Sequence, residues 1–282
     1  MPENTPIHNI SETARWAAIH RAKETERPHP QFRDPFARQL AGERGEQIAA
    51  ALSFSEADEW SWMARTYLFD RYISEQVTHG VDMVVNLGAG LDARPYRMTW
   101  PEALNWIEVD LPEILNYKEE ILARDEPQCR VERVRLDLAD VAGRRSLFQS
   151  LGRRATKALV LTEGLMIYVP SDDTGVLADD LAAVSTFRYW VLDLVSPGLL
   201  RMLRERTEPQ FNETTRMQFA PENGPEFFGV HGWKAVDVQS LLKTAGGFNR
   251  LPPAMQPLAL LPEDPARMGQ QPWGGVCLLE HS

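Results

Sequence analysis

The chain has little cysteine, few histidines and no long apolar run. Its two cysteines, Cys129 and Cys277, lie far apart in 282 residues. They make no disulfide framework and suit a reducing compartment. No apolar stretch approaches the about 18–20 residues that a membrane-crossing helix needs. The opening residues, MPENTPIHNISETARW, lack the basic-then-apolar pattern of a secretory signal. A cytoplasmic protein with no membrane partner is the expectation. The six histidines, at 8, 20, 29, 79, 231 and 281, show no paired ligand spacing, so no metal site is expected. Neither a G-x-S-x-G elbow nor a G-x-x-x-x-G-K-S/T loop occurs. Basic residues are also short: 30 Lys and Arg face 40 Asp and Glu, a net charge of −10. That balance argues against nucleic acid as a partner, because such binding rests on neutralising phosphates.

What is present is an ordinary globular composition, 43% hydrophobic and 25% charged. The first 80 residues read as a helical cap. Ser11 to Glu26 forms a helix that Pro28 ends, and Arg33-Asp34-Pro35-Phe36 reads as a turn opening a short helix with Pro at its first position. From Ala57 to Val77, the residues Trp60, Met63, Ala64, Tyr67 and Leu68 recur at helical spacing, with Arg65 flanking that buried stripe. From Met83 the texture changes. Short apolar runs at Met83–Leu87, Leu104–Val109, Val131–Leu136, Ala158–Leu161 and Tyr189–Val195 read as parallel strands buried on both faces. Helical segments lie between them, at Pro112–Arg124 and at Asp172–Val184 with Ser171 as N-cap. This alternation predicts an α/β doubly wound sheet. A core over 81–196 is followed by an insertion over 197–246 expected to contribute to the acceptor pocket, in which Pro197 to Trp233 reads as a helix and then a loop-rich stretch. Six prolines between Pro252 and Pro272 exclude a long helix there, and Gly274–Glu280 closes the chain as an antiparallel edge strand within 247–282.

The sharpest local signal is Asn86-Leu87-Gly88-Ala89-Gly90-Leu91-Asp92-Ala93, directly after a strand and before a helical segment. Glycines at such a turn let the backbone approach a ligand, and the next helix start offers unpaired N–H groups. Asp110 follows Gly90 by 20 residues, at the end of the next strand, where an acid accepts both ribose hydroxyls. That pair serves NAD and S-adenosylmethionine equally well. Asp137 and Glu163 follow the third and fourth strands. Carboxyl ends of parallel strands face the ligand crevice, so the four positions form one row. An acidic row suits adenine N–H donors and a sulfonium charge, and suits a pyrophosphate poorly.

These residues resemble class I S-adenosylmethionine-dependent methyltransferases, specifically the bacterial branch of the leucine carboxyl methyltransferase family. The resemblance is carried by Thr13-Ala14-Arg15-Trp16, Arg21-Ala22, Arg27-Pro28, Phe32 to Ala37, Ala64-Arg65-Thr66, Val85 to Arg97, Glu108 to Pro112, and Thr162-Glu163-Gly164-Leu165. It spans most of 11–170 and is thin beyond 200. It implies a Rossmann-like, mostly parallel seven-stranded sheet under the N-terminal cap. S-adenosyl-L-methionine is the implied cofactor and S-adenosyl-L-homocysteine the product.

The resemblance also implies roles residue by residue. Gly88, Ala89 and Gly90 cradle the methionine part, while Asp110, with Leu111 beside it, binds the ribose. Asp137 with the Leu138 backbone holds the adenine. Arg65 and Arg21 pair with the cofactor carboxylate, and Glu163 lies near its amine or sulfonium. Ala93 stands where family members commonly have Thr. Arg94, Tyr168 and His231 are candidates for touching the acceptor, and no catalytic base stands out. The acceptor is expected to be a small molecule with a carboxyl or hydroxyl group, a protein C-terminal carboxylate being the alternative. A nicotinamide-dependent oxidoreductase and a non-catalytic cofactor-binding scaffold are the competing readings.

Overall fold

The computed structural model describes residues 10–51, 59–207, 215–265 and 269–282. The cap consists of α1 (Ile10–Thr25), α2 (Ala37–Ala51) and α3 (Glu59–Thr78). Ala57 and His8 lie outside the described residues. The second helix is longer than the short one expected, and Pro35 precedes it. The Asp34 carbonyl accepts the Ala37 N–H at 3.2 Å, so the helix opens two residues after Pro35. Gly42 kinks it with φ 61°.

Seven strands follow: β1 (Met83–Leu87), β2 (Asn105–Asp110), β3 (Arg130–Arg135), β4 (Ala158–Thr162), β5 (Phe187–Val195), β6 (Trp233–Ser240) and β7 (Gly274–His281). They form one sheet in the order β3-β2-β1-β4-β5-β7-β6. The first five are parallel, while β7 runs antiparallel to both β5 and β6. Between them lie α4 (Arg94–Arg97), α5 (Pro112–Ile121), α6 (Val141–Gly152), α7 (Ser171–Ala182), α8 (Pro197–Thr207) and α9 (Leu241–Gly247).

Alternation along each strand divides the core into two layers. Met83, Val85, Leu87, Val160, Trp190 and Leu192 point to the side covered by α6 and α7, where Phe148, Leu151, Leu177 and Leu181 meet them. Val84, Leu159, Leu161 and Val191 point to the opposite side, where Leu68, Phe69, Tyr72 and Ile73 of α3 cover them. Both faces are dry, which is why these strands read as unbroken apolar runs. The β3 sequence Arg-Val-Glu-Arg-Val-Arg departs from that rule because β3 is an edge.

Two expectations need correction. Ser171 is the first residue of α7, and Pro170 holds the cap position with no side-chain bond. Gly274–His281 is an interior strand, with β6 outside it. That edge strand, at Trp233–Ser240, follows the loop-rich stretch, and the helix expected from Pro197 is α8. Its sequence, Trp-Lys-Ala-Val-Asp-Val-Gln-Ser, is half polar because an edge strand needs only one covered side.

Candidate functional site

The parallel order reverses between β1 and β4, which opens a crevice at their carboxyl ends. The turn after β1 passes through Gly88 at φ 64° and Gly90 at φ 48°, both in the left-handed region. A Cβ on Gly88 would stand 3.1 Å from Leu165 Cδ1, and one on Gly90 would stand 3.1 Å from Ala14 Cβ of α1. The cap therefore crosses directly over the turn.

Asp110 ends β2 and fastens this turn. Its Oδ2 accepts the Gly90 N–H at 2.6 Å and its Oδ1 accepts the Leu111 N–H at 2.7 Å. Burial pushes its carboxyl upward, and the two N–H donors oppose that shift. Each oxygen retains a lone pair for a further donor. Asp137 sits exposed beyond β3, accepting the Ala139 N–H at 2.9 Å, with Leu138 half-buried beside it.

On the other side of the turn, two arginines meet at Glu163. Arg94 Nη1 lies 2.7 Å from Glu163 Oε2, and Arg65 Nε lies 3.3 Å from Glu163 Oε1. Arg65 also approaches Asp193 of β5 at 3.5 Å. Both Arg65 contacts are longer than the 2.7–2.9 Å of a tight charge-assisted pair, so its guanidinium keeps donors to give. Asp193 accepts the Gly164 N–H at 2.7 Å, and burial pushes its carboxyl up while Arg65 opposes. Tyr168, in the 3₁₀ turn Met166–Tyr168, lies near Arg65 and Asp193, and burial pushes its hydroxyl up to about 12.

The row Asp137, Asp110, Gly88–Gly90, Glu163 thus runs along one sheet end. Asp193 extends it; sequence reading missed this acid although it interrupts the apolar run of β5. Three other assignments change. Arg94 is 2% exposed, with Asp70 at 2.6 Å, Asp92 at 2.9 Å and Glu163 at 2.7 Å. It is a buried hub rather than an acceptor contact. Burial alone would raise the Asp92 carboxyl, but Arg94 beside it holds it well below the usual range. Arg21 donates to Asp34 at 2.8 Å and to the Leu91 carbonyl at 2.6 Å, so it ties the cap to the glycine turn. His231 is at the wrong end of the sheet. Trp233 beside it pairs with His281, and Glu280 pairs with Tyr189 near the start of β5. The antiparallel sense of β7 therefore carries His231 to the amino ends of the parallel strands, where it meets Asp179 at 2.8 Å.

The fold is that of the Rossmann-like methyltransferases. A crystal structure of a DUF574-family protein from Streptomyces avermitilis aligns over 96% of this chain and 97% of that one, with a TM-score of 0.59 at 13% identity. A Thermobifida fusca structure aligns over 98% and 96%, with a TM-score of 0.57 at 15% identity. In sequence, a Frankia alni protein named "Putative S-adenosyl-L-methionine-dependent methyltransferase" is 30% identical over 86% of this chain and 90% of its own length. A Streptomyces avermitilis protein of similar name is 29% identical over 84% and 87%. Residues 14–182 match the family model described as leucine carboxyl methyltransferase, and the chain belongs to that family. It is an S-adenosyl-L-methionine-dependent methyltransferase. Among the described residues no helix is long and apolar enough to cross a membrane, and no three His, Cys, Asp or Glu could hold a metal ion.

Proposed function

We propose that the protein methylates an oxygen of a small molecule, a carboxylate before a hydroxyl. The residues present fit the cofactor: a Cβ would fill the glycine cradle, and the Asp110 carboxylate is anchored with lone pairs to spare. In this reading Asp110 holds the ribose, Asp137 and the Leu138 backbone the adenine, and Arg65 the carboxylate. Glu163 and Asp193 face the amine. Arg21 and Arg94 act from behind, fixing the turn and Glu163. The bound cofactor supplies an electrophilic methyl group on a good leaving group. The chain's own work is then alignment and exclusion of water.

What supports a carboxylate is the setting of the side chains around Arg65: burial pushes the Tyr168 hydroxyl up to about 12, His20 is enclosed in the cap, and the acids Glu163 and Asp193 are both turned to the Arg65 guanidinium. A carboxylate oxygen is already anionic and needs no base, whereas a hydroxyl does. A protein C-terminus is the less favoured carboxylate source.

Thermal unfolding with S-adenosylmethionine, S-adenosylhomocysteine, NAD and NADP, each added separately, tests the cofactor. The S-adenosyl compounds at about 100 times their Kd add about 2.7 kcal/mol. The nicotinamide nucleotides should do nothing. Labelled methyl transfer to a panel of carboxylic acids and phenols then tests the acceptor. Mild base releases methanol from an ester and leaves an ether intact. An ether product overturns the carboxylate choice, and binding without transfer to any acceptor favours a scaffold.

A further inference from the structure

One buried polar side chain near this site has no hydrogen-bond partner among the described residues. His20 of α1 is 7% exposed, yet neither ring nitrogen makes a hydrogen bond to any of them. Native interiors leave few polar atoms in that state, and each calls for an explanation. Its ring stacks on Trp62 of α3, with centroids 4.6 Å apart and planes at 9°. Trp16, one helical turn earlier, packs edge-on against both rings. The Arg65 guanidinium lies against the same Trp62 ring, 4.6 Å from its centroid. An imidazole with unused nitrogens and a loosely held guanidinium thus share one indole, at the junction of the cap and the crevice.

Two cations flank the ring, and of these Arg65 also faces Glu163 at 3.3 Å and Asp193 at 3.5 Å. Burial first, and then the positive charge of Lys23 on α1 and Arg65 on α3, hold the imidazole neutral. Glu59 of α3 is engaged by Lys23 at 2.8 Å and Arg27 at 3.0 Å. We propose that His20 and Arg65 together form a carboxylate-binding site, with His20 donating one N–H to an oxygen that Arg65 also holds. This rests on the reading of Arg65 as an anion-binding group. Two sources of carboxylate exist in the proposed reaction, the methionyl part of the cofactor and the methyl acceptor.

The test follows the His20 ring by NMR on protein labelled with ¹⁵N-histidine, its signal identified by loss in His20→Phe. The ring is titrated alone, with S-adenosylhomocysteine, with 5′-methylthioadenosine, which lacks the amino-acid part, and with benzoate in the presence and absence of S-adenosylhomocysteine. Free, the ring stays neutral to the acid limit of the fold. A bound carboxylate draws a proton onto it and raises its pKa by about 2 units. A rise with S-adenosylhomocysteine but not with 5′-methylthioadenosine, and about tenfold weaker S-adenosylhomocysteine binding by His20→Phe, assigns the site to the cofactor. A rise only with benzoate assigns it to the acceptor. His20→Gln, which keeps a donor, should restore part of the lost affinity. A ring unmoved by every addition, with wild-type binding by His20→Phe, overturns the proposal. Wild-type protein that binds neither nucleoside instead sinks the cofactor reading, and the benzoate arm still tests the site.

Discussion

Arg94 and Glu163 lie 2.7 Å apart, although one follows β1 and the other follows β4. Their contact bridges the two strands whose divergence opens the crevice. It fixes the Glu163 carboxylate from behind, leaving its other oxygen toward Arg65.

Removing Arg94 leaves Asp70, Asp92 and Glu163 crowded without their shared cation. Arg94→Met should destabilise the protein by about 3–5 kcal/mol, as breaking a buried ion pair does. Urea denaturation reads this directly. A midpoint equal to wild type would mean that the acids are solvated rather than held.

The two N–H bonds that Asp110 accepts give it a structural task as well as a ligand. Asp110→Ala should weaken S-adenosylhomocysteine binding at least about 100-fold and lower stability by only about 1–3 kcal/mol. Calorimetry at a temperature where the variant is folded separates the two effects. Full affinity in the folded variant would remove the ribose assignment.

Gly90 tests the approach of the cap. Its positive φ strains any side chain, and a Cβ there would crowd the Ala14 Cβ at 3.1 Å. Gly90→Ala should lose about 1–3 kcal/mol of stability. Ala14→Gly in the same chain should recover part of that loss, and no recovery would show that the strain is confined to the turn.

His20 sets a pH dependence whose sign can be worked out. Burial first, then Lys23 and Arg65, lower its folded pKa from 6.5 to about 3. Between those values the unfolded chain binds a proton that the folded chain refuses. Stability therefore falls as pH drops from 6.5 toward 3, by up to about 1.4 kcal/mol per pH unit, and is flat in this respect above 6.5. His20→Phe should flatten that slope. Equal slopes for wild type and variant between pH 4 and 6.5 would place the ring in a wetter setting.

The five parallel strands and the glycine turn were legible in the sequence because they rest on local signals, apolar runs and a glycine spacing. Asp110, Asp137 and Glu163 could be placed in a row because strand ends alone determine it. The ion pairs of Arg94 could not be read, since Asp70 and Glu163 stand 24 and 69 positions away. The place of His231 depends on the direction of β7, which no local pattern encodes. The strand at Trp233–Ser240 was hidden because Lys234 and Asp237 fit an edge and read equally well as a loop.

The interior position of β7 also orders events during synthesis. The first five strands can pair as they leave the ribosome, since each neighbour in the sheet is already made. The strand at Trp233–Ser240 cannot, because among the described residues it pairs with β7 alone, which emerges after it. Until then β5 presents an open edge, and Val191, Leu192 and Leu194 lack the strand beside them. A nascent chain halted before Gly274 is therefore a sticky species, whereas one extended past His281 can seal its sheet from both sides at once.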